Sequence, residues 1–245
     1  MVTLDTEPIV SGPSKTERLG TVLGIDVGSP DILLVVSRRQ RVPRASILVT
    51  TAAQHMIRLS KAGEKVDSIL VTSSQDDPTT HPEFREITEN LRDLRNKWFP
   101  KAKLCVLCEN AELDDLDVRA ALSIYDRPIV SLEWGTTKTY AALTKRKSTV
   151  LTNMMRHLKV LEHVVVQARF VRGNADNSTD SEVKGWIKRL DEVRPREVQI
   201  LLGKPGGRKD PIRPAPKSRL QQIAAQVTEK TGIPANVYSD EPLFV

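Results

Sequence analysis

The chain has 245 residues, enough for one α/β domain with a substantial core. Lysine plus arginine outnumber aspartate plus glutamate by 37 to 31, giving a net charge of +6 and a pI near 9.4, so an acidic partner such as RNA or a phosphorylated ligand fits the balance without being required by it. Two cysteines exclude a disulfide framework and no apolar run approaches the roughly 18 residues of a membrane span, so a cytoplasmic protein with no membrane partner is expected.

Residues 1–18, MVTLDTEPIVSGPSKTER, lack an apolar h-region and read as a flexible leader rather than a secretory signal, with a single domain expected over 19–245. From Leu19 a β-branched apolar run passes through Gly28, Ser29 and Pro30 into a second apolar run. That run is followed by Arg38, Arg39, Arg41 and Arg44. Ile47, Leu48, Ala52, Met56, Ile57 and Leu59 fall near helical spacing, predicting a helix over 45–65 that Gly63 helps to stop. Ser68 to Thr72 is a short, nearly all-apolar strand.

The alternation then repeats. Helix EFREITENLRDLRNKWF, with Phe84, Ile87, Leu91, Leu94 and Trp98 on one stripe, precedes strand KLCVLCE, helix LDDLDVRAALSIYD and strand RPIVSLE. A helical region from Thr137 to Glu162 is interrupted around 144–148. Strand HVVVQARFVRG, loop NADNSTD, helix SEVKGWIKRLDEV and strand EVQILLG follow. The basic loop KPGGRKDPIRPAPKSR then leads to helix LQQIAAQVTEKTG and strand ANVYS. Apolar strands each followed by an amphipathic helix force parallel neighbours with crossover helices. An open doubly wound sheet and a partial or full β/α barrel both satisfy the pattern, and in either a ligand would sit at the C-terminal edge of the strands.

Cys105 and Cys108 have CxxC spacing but lie inside a strand, where positions three apart face opposite ways, so they read as packed thiols. The histidines at 55, 81, 157 and 163 form no metal-ligand pair and read as surface or packing residues. Asp76 and Asp77 stand before a helix, where a capping role outweighs a ligand role; Glu109, Glu112, Asp114 and Asp115 read the same way. Three basic segments fall on one predicted edge: the arginines at 38, 39, 41 and 44; Lys145, Arg146 and Lys147; and Lys204, Arg208, Lys209, Arg213, Lys217 and Arg219. Clustered at one mouth they would attract phosphates, with Arg38, Arg39, Arg41, Arg44, Lys204, Arg208 and Lys209 as the candidate anion or RNA contacts, against the reading of solvated loops. Trp134, at a strand end, could stack on a base or pack in the core.

Taken in order, GPSKTERLGTVLGIDV, SSQDDPTTHPEF, VLCENAELDD, IVSLEWGTTKTYAALTKRK, QARFVRGNADN and VQILLGKP resemble the radical S-adenosylmethionine superfamily, nearest its stand-alone iron–sulfur oxidoreductases akin to wyosine-forming tRNA enzymes. The resemblance implies a partial (β/α)6 TIM-like barrel, a [4Fe–4S] cluster held by CxxxCxxC after the first strand, and reductive cleavage of S-adenosylmethionine. Here that loop is GSPDILLVVSRRQR, and the three cysteines are absent. Serine or arginine cannot replace three thiolate ligands. Ser74, Gln75 and Asp76 occupy the glycine-rich turn of the family, with Asp77 at its acidic position. Ser131 matches the fourth-strand serine, and Arg169 on the fifth strand could pair a carboxylate. Asp77, Ser131 and Arg169 are therefore the candidate remnants of an S-adenosylmethionine pocket.

These readings lead to a cluster-free radical-SAM-like protein that binds an anionic ligand or RNA, tRNA included, or acts as a scaffold for another protein. No iron–sulfur cofactor is expected, and S-adenosylmethionine stays open. Two alternatives remain. One is a radical-SAM enzyme whose cluster comes from a partner chain or unusual ligands. The other is a barrel enzyme using Asp77 or Glu133 as acid or base, which lacks a nucleophile–base constellation to support it.

Overall fold

Pairing begins with Val10–Thr16 (β1), antiparallel to Gly20–Asp26 (β2), in a computed structural model that describes residues 8–29, 42–109, 111–173, 176–203 and 212–239. The leader expected over 1–18 therefore holds a strand from Val10 onward. Its sequence VSGPSKT has no apolar alternation, and its proline is tolerated because β1 lies at a sheet edge, so no strand signal was legible there. The chain divides into two compact units, with the boundary in sequence between Pro128 and Ile129.

In the first unit, β2, Ser68–Thr72 (β3) and Lys103–Cys108 (β4) are parallel neighbours. Leu23, Ile25, Ile69, Leu70, Val71, Leu104 and Val106 have no exposed surface, which accounts for runs that are apolar at almost every position rather than at every second one. Ala45–Lys61 (α1) and Phe84–Trp98 (α2) pack together through apolar stripes that bury Leu48, Ala52 and Met56 on one and Phe84, Ile87 and Leu91 on the other. Leu116–Leu122 (α3) follows β4.

The start of α1 has no side-chain cap of its own. Glu83 supplies one from outside, its carboxylate accepting the Ala45 N–H at 2.8 Å. His81 fixes that arrangement: Nδ1 accepts the Glu83 N–H at 3.1 Å and Nε2 lies 2.9 Å from the Pro43 carbonyl. Since a carbonyl only accepts, Nε2 carries the proton and the ring is neutral. Burial pushes the His81 pKa below its ordinary 6.5, outweighing the Pro43 carbonyl and the Glu83 charge, which favour the cation.

The second unit holds most of Arg127–Ser131 (β5), then Val165–Arg169 (β6), Val171–Gly173 (β7), Glu197–Leu202 (β8), Ile212–Pro214 (β9) and Ala235–Ser239 (β10). β5, β6, β8 and β10 run parallel in that order. Thr137–Thr144 (α4), Ser148–Leu158 (α5), Asp180–Val193 (α6) and Lys217–Thr231 (α7) complete it. The single strand expected over 163–173 is broken at Phe170, whose ring leaves the strand for an edge-on contact with Trp186 at 5.0 Å between centroids. Beyond the break β7 pairs antiparallel with β9, a strand inside what reads as a Gly/Pro-rich basic loop.

Candidate ligand site at the strand ends of the second unit

Register places Ser131, Gln167 and Gln199 side by side on β5, β6 and β8. All three are buried, and Gln167 has no exposed surface. Side chains alternate along a strand, so the face that carries this row also carries Glu133 two residues beyond Ser131 and Arg169 two beyond Gln167. Gln167 donates to the Ser131 hydroxyl at 3.4 Å, Gln199 donates to Glu197 at 2.8 Å, and Arg169 Nη1 stands 3.9 Å from the Glu133 carboxylate. The Arg169 backbone N–H also donates to Glu133, at 3.2 Å. A face with only a packing duty would take Val or Ile here, because buried polar groups cost free energy unless each finds a partner.

The turn carrying Glu133 is held at several backbone groups. Trp186 Nε1 donates to the Leu132 carbonyl at 2.7 Å, Asn177 Nδ2 to the Glu133 carbonyl at 2.8 Å, and Arg189 Nε to the Gly135 carbonyl at 2.8 Å. The Glu182 carboxylate accepts from Thr136, at 3.1 Å from its N–H and 2.7 Å from its hydroxyl. Glu182, Trp186 and Arg189 recur at i, i+4 and i+7 along α6 and thus share one helix face. That face comes close because Gly185 meets Gly135: a Cβ on Gly185 would stand 2.9 Å from the Gly135 carbonyl oxygen. Asn177 closes the other side, donating to the Arg169 carbonyl at 2.9 Å and accepting the Val171 N–H at 2.7 Å. None of these supports was legible as functional, since Asn177 lay in a polar loop and the α6 residues in an ordinary amphipathic pattern. Gln167 and Gln199 did leave a signal, one amide within each of two apolar runs.

Ser131 and Arg169 thus lie on one face of the second unit. Trp134 is buried, with its ring edge-on to Tyr140 at 4.9 Å, so it packs in the core instead of presenting a stacking surface. Asp77 belongs to the first unit and caps the 3-10 turn Pro78–Thr80, accepting from the Thr79 N–H at 3.1 Å and its hydroxyl at 2.5 Å. In the same unit Asp26 accepts the Gly28 and Ser74 N–H groups, each at 2.9 Å, and Gln75 donates to the Gly28 carbonyl at 2.7 Å. These bonds knit the turns after β2 and β3 together. A separate cavity of about 480 Å³ lies among Thr80, Glu83, Arg85, Glu86, Glu89 and Asp117, where Arg85 bridges Glu89 and Asp117.

The residues present do not fit a [4Fe–4S] cluster. Cys105 and Cys108 are buried thiols on β4 whose side chains take opposite faces, two where three convergent thiolates are needed. Burial first, then the charge of Asp77 and a hydrogen bond to it, push the Cys108 thiol well above its ordinary range, which holds it protonated.

Of the basic candidates, Arg38, Arg39, Arg41, Lys204, Arg208 and Lys209 lie outside the described residues. Arg44 is exposed and gives its carbonyl to the first turn of α1. Lys145, Arg146 and Lys147 are exposed in the link between α4 and α5, with Lys145 in the left-handed region at φ 60°.

No family model matches the chain, and no curated protein matches it. Among solved structures it is similar to a domain of pyruvate-formate lyase-activating enzyme from Bacteroides vulgatus, with a TM-score of 0.51 and 14% identity over 69% of this chain and 96% of that one. The fold is a partial, TIM-like β/α barrel. At that identity the likeness is one of fold alone. No helix among the described residues is long and apolar enough to cross a membrane.

Proposed function

We propose that the chain is a cluster-free radical-SAM-like protein that binds rather than carries out radical chemistry, with an anionic ligand or RNA as its partner. The observation that carries this reading is the face of β5, β6 and β8, where buried Ser131, Gln167 and Gln199 lie beside the Glu133–Arg169 pair. A carboxylate next to a guanidinium at strand ends suits a ligand that carries both an amine and a carboxylate, and the neighbouring amides and hydroxyl suit a ribose or base edge. S-adenosylmethionine has all of these groups; its net charge is positive, and the carboxylate that Arg169 would hold is its anionic end. Its binding here would be the use of an inherited pocket without the cluster that makes the ligand react.

Calorimetric titration with S-adenosylmethionine tests the reading. Saturable binding is expected, weakened about tenfold or more by Arg169→Ala, since a charge-assisted hydrogen bond is worth roughly 1.5–3 kcal/mol. Absence of binding, or equal binding by the variant, would remove the small-ligand reading. Release of 5′-deoxyadenosine under reducing conditions would favour the alternative of a cluster supplied in trans.

A further inference from the structure

We propose that the β7–β9 ribbon is a clamp for the phosphodiester backbone of RNA, with Arg172 and Arg213 as its two contacts. These residues are direct cross-strand partners and both are exposed. Directly opposed residues in an antiparallel pair have Cβ atoms roughly 4.5–5.5 Å apart, and like charges so placed destabilise the pairing. Neither arginine has an ion pair among the described residues. The carboxylates of the adjoining turn and helix start are engaged elsewhere: Asp176 accepts from the Ser178 N–H and hydroxyl, Asp180 pairs with Arg219 at 2.6 Å, and Glu133 faces Arg169. An anion between the two guanidinium groups converts their repulsion into attraction. Each presents a planar fork that fits phosphate oxygens.

The ribbon is mounted rigidly. The Ala215 N–H donates to the Phe170 carbonyl at 2.8 Å, tying the end of β9 to the start of β7, while Asn177 holds the Val171 N–H. The two arginines are therefore presented from a paired and tied backbone, which lowers the ordering cost of binding. The choice of RNA rests on the binding reading above and on the sequence around β9, where Lys204, Arg208, Lys209 and Lys217 accompany Arg213 in a chain of net charge +6. A polyanion uses such spread charge and a single phosphate does not. Neither β7 nor β9 contains an aromatic residue, so the contact is to backbone and independent of base sequence.

The test is fluorescence anisotropy of the full chain with a labelled single-stranded oligoribonucleotide of mixed sequence across a salt series. Arg172→Ala/Arg213→Ala should bind about tenfold more weakly at low salt and lower the slope of log affinity against log salt by about 1 to 2, as for the loss of two phosphate contacts. Arg172→Lys/Arg213→Lys should keep most of the slope, and Lys184→Ala/Lys188→Ala on α6, equal in charge removed, should change it little. Wild-type slope and affinity in the alanine variant would overturn the clamp while leaving RNA binding in place. An equal loss in the α6 variant would overturn it in favour of net charge. No RNA binding by the wild type would overturn it too, leaving the small-ligand reading to its own titration.

Discussion

His81 shows how much a single side chain can settle without taking part in chemistry. One ring nitrogen meets the Pro43 carbonyl and the other takes the Glu83 N–H, and this fixes the carboxylate that caps α1. The sequence shows four histidines with no ligand spacing. That pattern left a surface or a packing role open and gave no partners, because they come from segments near in space and not in periodicity. The lowered pKa has a definite consequence. The neutral ring is the folded form, so its contribution to stability is complete above the ordinary pKa of 6.5 and is lost as pH falls from there through the lowered folded value, where the unfolded chain binds the proton more readily. Urea unfolding at about pH 7.5 and about pH 5.5 should show a larger drop for the wild type than for His81→Gln, which cannot titrate. An equal drop in both would mean that His81 is not the group responsible.

At the scale of elements, the β/α alternation was readable wherever an element answers to one period. The buried runs of β3 and β4 and the stripe of α2 fall where the spacing puts them. β1 and β9 were missed because their short, proline-containing sequences carry no apolar alternation, and β7 was read as the end of the preceding strand because nothing in the run marks the break at Phe170. The grip of α6 on the turn after β5 was missed for another reason: Gly185 looks like a weak point in a helix until Gly135 is seen against it. Two effects compete at that glycine. Alanine gains roughly 1 kcal/mol in helix propensity, while forcing a methyl against backbone costs roughly 1–3 kcal/mol. Backbone cannot swing aside as a side chain can, so steric cost wins. Gly185→Ala should lower stability by about 1 kcal/mol and weaken ligand binding at the Glu133 turn. A stabilised variant in urea unfolding would show that the helix stands further off than the structure places it.

At the scale of the whole molecule the fold was legible and the candidate site only in part. The strand and helix order gives a partial barrel, and Ser131 and Arg169 share a face of the second unit with a row of amides that the sequence only hinted at. In the first unit Asp26 and Gln75 bond across the turns after β2 and β3, and Asp77 caps the turn that follows. The two cysteines are spent on the packing of β4. How far the basic segments converge was not legible, because charge runs carry no period. The measurement that bears most directly on the central claim is anaerobic reconstitution of the full chain with iron and sulfide, followed by desalting and visible spectroscopy with iron and sulfide assays. The account predicts no sulfide-to-iron charge-transfer band and no retained iron. A stoichiometric, oxygen-sensitive chromophore held by this chain alone would contradict it.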